Sequence, residues 1–68
     1  MKISARNKIP GTITAITPGA VNGTVKVEIA GGTILTSSIT EEAIEELGLA
    51  PGDAVTVIIK ASDLLIGK

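Results

Sequence analysis

Val21-Asn22-Gly23-Thr24-Val25-Lys26-Val27-Glu28-Ile29 alternates apolar and polar side chains more regularly than any other part of the chain. Side chains two residues apart on a β-strand share a face, so Val21, Val25, Val27 and Ile29 are predicted to line one side of a strand. Gly31-Gly32 follows in the pattern of a tight hairpin turn. Residues 33–39 are rich in β-branched side chains and are predicted to form the returning strand. A β-hairpin is therefore the predicted centre of the fold.

Toward the N-terminus, a second alternating segment starts at Ile3 and places its apolar residues on odd positions as far as Ala15. This period of two predicts another strand. Pro10-Gly11 interrupts the segment and indicates a bulge or an edge position, because proline cannot donate to the ladder. Pro18-Gly19 is typical of the turn that leads into the central strand.

Toward the C-terminus, Thr40 is predicted to be the N-cap of a short helix that begins with two glutamates. Ala43, Ile44 and Leu47 share one face of that helix, and Gly48 is the expected left-handed residue at its end, with Leu49 as its hydrophobic contact. After a turn at Pro51-Gly52-Asp53, residues 54–60 and residues 64–66 are predicted to be the fourth and fifth strands. The order of elements predicts a mainly β protein: a five-stranded OB-like barrel with one short helix between strands 3 and 4, in a single domain over residues 1–68.

Composition indicates how such a small domain becomes stable. The 68 residues include no cysteine and no histidine, so neither disulfides nor the usual zinc ligands are at hand, and self-association is the remaining route. A partly open barrel leaves edge strands that partner subunits can cover, which favours an intertwined oligomer. The chain shows no apolar run of about 18 residues and no apolar segment after its N-terminus. We expect a cytoplasmic protein with no membrane partner.

The residue types argue against catalysis. Histidine, cysteine and tyrosine are all absent, which removes the usual general bases and most nucleophiles. The four helical glutamates are expected to stabilise the helix dipole and to be solvated. A dyad of Ser62 and Lys60 can be drawn, but nothing in the sequence provides an oxyanion hole for it. The chain is therefore predicted not to be an enzyme and to need no cofactor or bare metal ion.

The sequence does offer hydrogen-bond donors next to isolated cations. Ser4 and Arg6 are two residues apart, and Lys60 and Ser62 repeat this spacing near the other end. If both segments are strands, each pair shares a face. Hydroxyls at 36–40 lie just before the helix, where free backbone amides favour anions. Each feature alone is compatible with a solvated surface or an ordinary cap, but together they suit a small oxyanion.

Four motifs carry a resemblance to a known family, and together they span nearly the whole chain: Ser4-Ala5-Arg6-Asn7, Ile39-Thr40, Leu47-Gly48-Leu49-Ala50-Pro51-Gly52 and Lys60-Ala61-Ser62-Asp63. The chain resembles the molbindins, the Mop family of molybdate- and tungstate-binding proteins. This resemblance implies an OB-like domain, a homo-hexamer built as a trimer of dimers, oxyanion sites between subunits, and a role in storing or buffering molybdate.

The same resemblance implies specific site residues. It assigns Ser4, Ala5, Arg6, Lys60, Ala61 and Ser62 to a site at a dimer interface, with Thr40 donated by a neighbouring subunit. Some relatives have a serine where this chain has Ala43, which removes one hydroxyl contact. A second oxyanion site near a three-fold axis is expected at Gly19, Ala20 and Val21, with backbone N–H groups as donors.

Molybdate, tungstate and sulfate are tetrahedral dianions whose oxygens only accept hydrogen bonds, while arginine and lysine only donate them. The predicted site lacks an obligatory acceptor, so it should disfavour a protonated phosphate, and size must separate molybdate from sulfate. Two other functions stay open at this point. A structural oligomerisation module without ligand explains the apolar composition, and a nucleic-acid-binding OB domain fits the fold. A net charge of −1 and the absence of aromatic residues disfavour the nucleic-acid reading.

Overall fold

The structure is a computed structural model that describes all residues from Met1 to Lys68. One antiparallel sheet of four strands forms most of it, in the order β3-β2-β1-β4. The sheet curls into a half-barrel with one short helix between β3 and β4. The elements are β1 (Asn7–Thr17), β2 (Asn22–Ile29), β3 (Ile34–Thr40), α1 (Glu41–Leu47), β4 (Ala54–Ile59) and a short 3-10 helix (Ala61–Asp63).

The predicted hairpin is present as β2 and β3. Gly31 and Gly32 have φ values of 86° and 87°, a conformation that glycine adopts without the steric cost of a side chain. The amide of Ile29 donates to the carbonyl of Thr33 at 2.9 Å and closes the turn. Val25 and Val27 are buried as predicted, but Val21 precedes the strand and is 72% exposed. The alternation therefore predicted the strand correctly, except for its first residue.

Pro10-Gly11 takes the predicted edge position rather than the alternative bulge, which lies further along β1. Pro10 pairs with Thr56 of β4 in regular register, and the pairing of β1 with β2 starts only at Gly11. At Pro10, β1 therefore has a neighbouring strand on one side only, where a missing N–H group is tolerated. The register instead shifts between Ile13 and Ala15. This shift puts Ile16, rather than Ala15, on the same side as Ile13, which is 1% exposed.

The helix confirms its predicted caps. Thr40 Oγ1 accepts a hydrogen bond from the Ala43 amide at 3.1 Å, and Gly48 is left-handed with φ 62°. The Leu49 amide donates to the carbonyl of Ile44 at 3.1 Å, which completes the helix end. Leu47 departs from the prediction, because it is 69% exposed, whereas Ile44 is buried. α1 is not long and apolar enough to cross a membrane.

The core is small and open on its concave side. Four buried side chains form its centre: Ile13, Val25, Val27 and Ile44. An apolar cavity of about 610 Å³ lies inside the half-barrel, and the same three strand residues of the core line it together with Met1 and Leu47. In this chain alone, the concave face of the sheet is therefore only partly covered.

The predicted fifth strand at residues 64–66 is absent. The chain makes its 3-10 turn directly after β4, and the following residues pair with no strand. Leu65 and Ile66 are 88% and 89% exposed. Three residues form too few ladder hydrogen bonds to hold an isolated strand on the sheet edge.

Candidate functional site

The two cationic motifs meet in one groove. β1 and β4 pair antiparallel with Asn7 opposite Ile59, so the residues before β1 lie beside the residues after β4. The side-chain amide of Asn7 donates to the carbonyl of Ile59 at 3.1 Å and ties the two strand ends together. Nine residues line the groove: Ile3, Ser4, Ala5, Arg6, Ile58, Lys60, Ala61, Ser62 and Asp63. Six of the seven residues predicted for the main site are among them.

The geometric reason for this meeting differs from the predicted one. Ser4 and Arg6 precede β1, and Ser62 lies in the 3-10 helix, so strand spacing does not place either pair on one face. The Asp63 amide donates to the carbonyl of Lys60 at 2.9 Å, which bends the chain after β4 around the end of the groove. Strand pairing and this turn, rather than a period of two, bring the donors together.

The groove is equipped to hold a small anion. Arg6 and Lys60 contribute two positive charges, and Ser4 and Ser62 contribute hydroxyl groups that can rotate to donate. All four side chains are exposed to solvent in the isolated chain. Ala5 and Ala61 can contribute only backbone groups. A dianion placed between the two cations would have its charge balanced and its oxygens met by donors.

Asp63 also lines the groove, and sequence reasoning did not assign it to the site. Its position was visible in the motif Lys60-Ala61-Ser62-Asp63, because a turn after the strand brings neighbouring side chains to the same opening. Asp63 supplies a carboxylate. In its ionised form, a carboxylate accepts hydrogen bonds and donates none. The lining of this groove therefore includes an acceptor that the predicted site did not, and Asp63 offsets part of its positive charge.

Thr40 lies away from the groove. It ends β3, at one edge of the sheet, while the groove lies beside β4 at the other edge. It also pairs with Asn22 at the start of β2, near the end of β1 that is far from Asn7. Its oxygen accepts from the Ala43 amide, so its own O–H is left to donate elsewhere. The chain does not bring Thr40 to the other predicted site residues.

The turn predicted for the second oxyanion site is already engaged within the chain. The Gly19 amide donates to Oε1 of Glu41 at 2.7 Å, and the carbonyl of Val21 accepts from the Glu41 amide at 2.8 Å. Gly19, Ala20 and Val21 are all exposed. The Glu41 carboxylate thus already accepts the hydrogen bond of the Gly19 amide, which was predicted to donate to an oxyanion.

The groove measures about 630 Å³. Pockets of this size hold drug-sized molecules, whereas a tetrahedral oxyanion has only five atoms. The groove of the single chain is therefore much larger than such an ion and is open to solvent on one side. No cluster of three or more histidine, cysteine, aspartate or glutamate residues is arranged to hold a metal ion.

A curled half-barrel with a cationic, hydroxyl-lined groove defines a small β-domain with the features of an anion binder. Comparison with known proteins gives the family. The chain belongs to the TOBE domain family, whose sequence profile matches residues 3–66. The resemblance to the molbindin, or Mop, proteins is confirmed by similar sequences and structures over nearly the whole chain.

Three similar proteins illustrate this relationship. Molybdenum-pterin-binding protein 3 of Clostridium pasteurianum is 44% identical over 66 residues, covering 97% of this chain and 97% of the relative. The apo structure of MopII from Clostridium pasteurianum matches with a TM-score of 0.93 and 39% identity, covering 98% of this chain and 100% of that one. The molybdate-bound cytoplasmic protein ModG matches with a TM-score of 0.91 and 46% identity, covering 96% of this chain and 46% of that one.

Proposed function

We propose that this protein binds molybdate, and also tungstate, in the groove between Ser4-Ala5-Arg6 and Lys60-Ala61-Ser62, and that it stores or buffers these oxyanions in the cytoplasm. The observation that carries the proposal is the pairing of Asn7 with Ile59, which brings Arg6 and Lys60 to one opening. Relatives of nearly the same length are named for molybdenum binding, and ModG is described as cytoplasmic. Binding without catalysis, in a single domain, is the proposed role.

The charge balance supports a dianion. Each cation at about 4 Å contributes about 4 kcal/mol per unit charge at an effective dielectric near 20, before the cost of desolvation. Two cations match the charge of molybdate, and the Asp63 carboxylate moderates the attraction. This arrangement suits reversible storage, because the ion can be released when its free concentration falls.

The names of several relatives include a pterin as well as molybdenum. The groove of this chain favours the oxyanion, since its polar lining consists of cations, hydroxyls and one carboxylate. Pterins are flat rings that bind well by stacking on aromatic side chains, and the sequence contains no Phe, Tyr or Trp. The proposed ligand is therefore the inorganic ion, with no cofactor.

An oligomer completes the proposed site. The groove is open on one side, Thr40 lies at the opposite edge of the sheet, and the concave face of the sheet is only partly covered. A homo-hexamer, built as a trimer of dimers, would let a neighbouring subunit place its Thr40 hydroxyl at the groove. In the same assembly, residues 64–66 would pair as a fifth strand and complete an intertwined OB-like barrel. The proposed partners are copies of this chain, with no nucleic acid and no membrane.

We expect the second predicted site, at Gly19, Ala20 and Val21, to bind an oxyanion with lower affinity than the groove does. An anion there would have to displace the Glu41 carboxylate from the Gly19 amide. The same carboxylate would repel a dianion until it moved away. Filling of this site is expected only after the groove sites are occupied.

Arg6→Ala tests the main site. We expect molybdate affinity to fall at least about tenfold while the oligomer survives, because removing the guanidinium removes one charge and its hydrogen bonds. Lys8→Ala is the matched control, since Lys8 is an exposed cation two residues away that does not line the groove. Equilibrium dialysis measures affinity, and light scattering measures the size of the assembly. Unchanged affinity of Arg6→Ala in an intact assembly would disprove the assignment.

Calorimetric titration with molybdate, tungstate, sulfate and phosphate tests the ligand class. The proposal expects heats of binding for molybdate and tungstate and weaker binding of sulfate and phosphate, because these smaller ions fill the same site less well. No binding of any oxyanion would favour a structural oligomerisation module. A gel shift with single-stranded oligonucleotides tests the nucleic-acid alternative, for which we expect no shift at physiological salt.

A further inference from the structure

Glu41 connects two parts of the chain that are distant in sequence. Its carboxylate accepts from the Gly19 amide at 2.7 Å, and its own amide donates to the carbonyl of Val21 at 2.8 Å. These two hydrogen bonds clamp the start of α1 to the turn between β1 and β2, across a separation of about 20 residues. A helical glutamate needs no such partner to stabilise the helix dipole, as the exposed neighbour Glu42 illustrates.

The Glu41 side chain also lies in a closely fitted place. Gly23 of β2 is buried, and a Cβ atom at that position would come within 2.6 Å of Oε1 of Glu41 and within 2.6 Å of Cδ1 of Ile44. Glycine at position 23 therefore leaves the space that the side chains of Glu41 and Ile44 occupy over β2. The Glu41 carboxylate is held by packing as well as by its hydrogen bond.

The clamp acts directly on Thr40, which precedes Glu41. Thr40 ends the ladder opposite Asn22, and its Oγ1 accepts from the Ala43 amide at 3.1 Å. With its oxygen engaged as an acceptor, the hydroxyl has one proton left, and the chain itself offers that proton no hydrogen-bond partner. The direction of this donation depends on how firmly the junction between β3 and α1 is held.

We propose that Glu41 is a positioning residue for oxyanion binding, which holds the Thr40 hydroxyl in the orientation that it presents to the groove of a neighbouring subunit. The inference rests on the proposed function, because it assumes that Thr40 completes that groove. Glu41 touches no ligand in this account. It acts through the backbone of the junction, by fixing Thr40 to the turn at Gly19.

The test is calorimetric titration of the assembled full-length protein with sodium molybdate. Glu41→Ala is expected to weaken the tight binding at the groove about tenfold, since a misdirected hydroxyl loses a hydrogen bond to a charged group. Any gain at the Gly19 turn, which this variant frees from the carboxylate, would form a separate and weaker phase of the titration. Glu41→Gln should stay within about twofold of the parent, because its amide oxygen can still accept from the Gly19 amide. Glu42→Ala is the matched control and should bind as the parent does. Equal losses in Glu41→Ala and Glu42→Ala would overturn the inference.

Glu41→Met is a second variant for the case in which Glu41→Ala fails to assemble. It keeps an unbranched side chain over Gly23 and removes the acceptor together with its charge, whereas Glu41→Gln removes the charge alone. Its assembly should match the parent by light scattering while its affinity falls as in Glu41→Ala. Parent-like molybdate affinity in an intact Glu41→Met assembly would overturn the proposal.

A double variant separates positioning from a general effect on the fold. In a Thr40→Val background there is no hydroxyl to orient, so Glu41→Met should cause no further loss of affinity. Additive losses would show that Glu41 acts on something other than Thr40 and would overturn the inference. If Thr40→Val alone leaves affinity unchanged, the assignment of Thr40 and this inference both fail. The assignment of the groove as the oxyanion site would then still be tested independently by Arg6→Ala.

Discussion

At the scale of single residues, the groove combines charges of opposite sign. Arg6 and Lys60 attract an anion, while Asp63 lines the same opening and repels it. Neither cation could be assigned to a shared site from the strand pattern alone, because their segments are more than 50 residues apart. The family motifs supplied that assignment, and the pairing of β1 with β4 gives it a geometric basis. In the proposed site, the balance among these three side chains would set how tightly a dianion is held.

Asp63→Asn should therefore strengthen molybdate binding. At about 10 Å in bulk water, one carboxylate repels a dianion by about 0.8 kcal/mol, which corresponds to about a fourfold change in Kd. Calorimetry at low salt measures the change, and the effect should shrink as salt is added. Glu46→Gln makes the same change of charge on the exposed helix and serves as the control. Equal or weaker binding by Asp63→Asn would show that the carboxylate does not face the ligand.

At the scale of elements, the helix and the hairpin follow rules that operate over a few residues. Thr40 caps α1, Gly48 ends it, and Gly31-Gly32 turns the chain between β2 and β3, all as predicted. The first strand behaves differently. Its bulge at Ile13–Ala15 turns Ile16 toward the core, and no local signal marked that position. The pairing with β2 and the packing on the core select the phase of the strand.

Gly48→Ala should destabilise the protein by about 1 kcal/mol, because a left-handed residue with a Cβ carries a steric cost of this order. Gly67→Ala is a close control. A Cβ at either position meets nothing within 4 Å, and only Gly48 has a positive φ. Urea unfolding at one fixed protein concentration measures the difference, since the stability of an oligomer depends on concentration. Equal midpoints for the two variants would contradict the proposed role of the αL conformation.

At the scale of the whole molecule, the isolated chain leaves apolar surface uncovered. The concave cavity of about 610 Å³ and the tail at residues 64–66 both leave apolar side chains exposed. The tail makes no strand pairing within the chain that it would have to give up. If it paired with another subunit, burial of its apolar side chains would stabilise the assembly by about 25 cal/mol per Å². The proposed assembly therefore uses the part of the sequence that does not fold onto its own sheet.

Leu65→Asp should shift the protein from the assembly toward the 6.8 kDa chain, because a charge cannot be buried at an interface without a partner. Gly67→Asp places the same charge on the same tail without removing an apolar side chain, and it should keep the assembly intact. Multi-angle light scattering measures the mass of both variants. A parent-sized assembly in Leu65→Asp would show that the tail does not contribute to association.

The sequence by itself determined the features that depend on near neighbours: the alternation of β2, the glycine turn, the caps of α1 and the types of hydrogen-bond donor available. These features follow from dihedral preferences and from spacing within a few residues. Only the tertiary structure decided which strand ends meet, where β1 bulges, and that Asp63 joins the groove. The Asn7 to Ile59 bond spans 52 residues, and contacts of that range depend on the packing of the entire sheet. The types of donor could therefore be predicted from the sequence, while the groove that they line is formed by the pairing of β1 with β4.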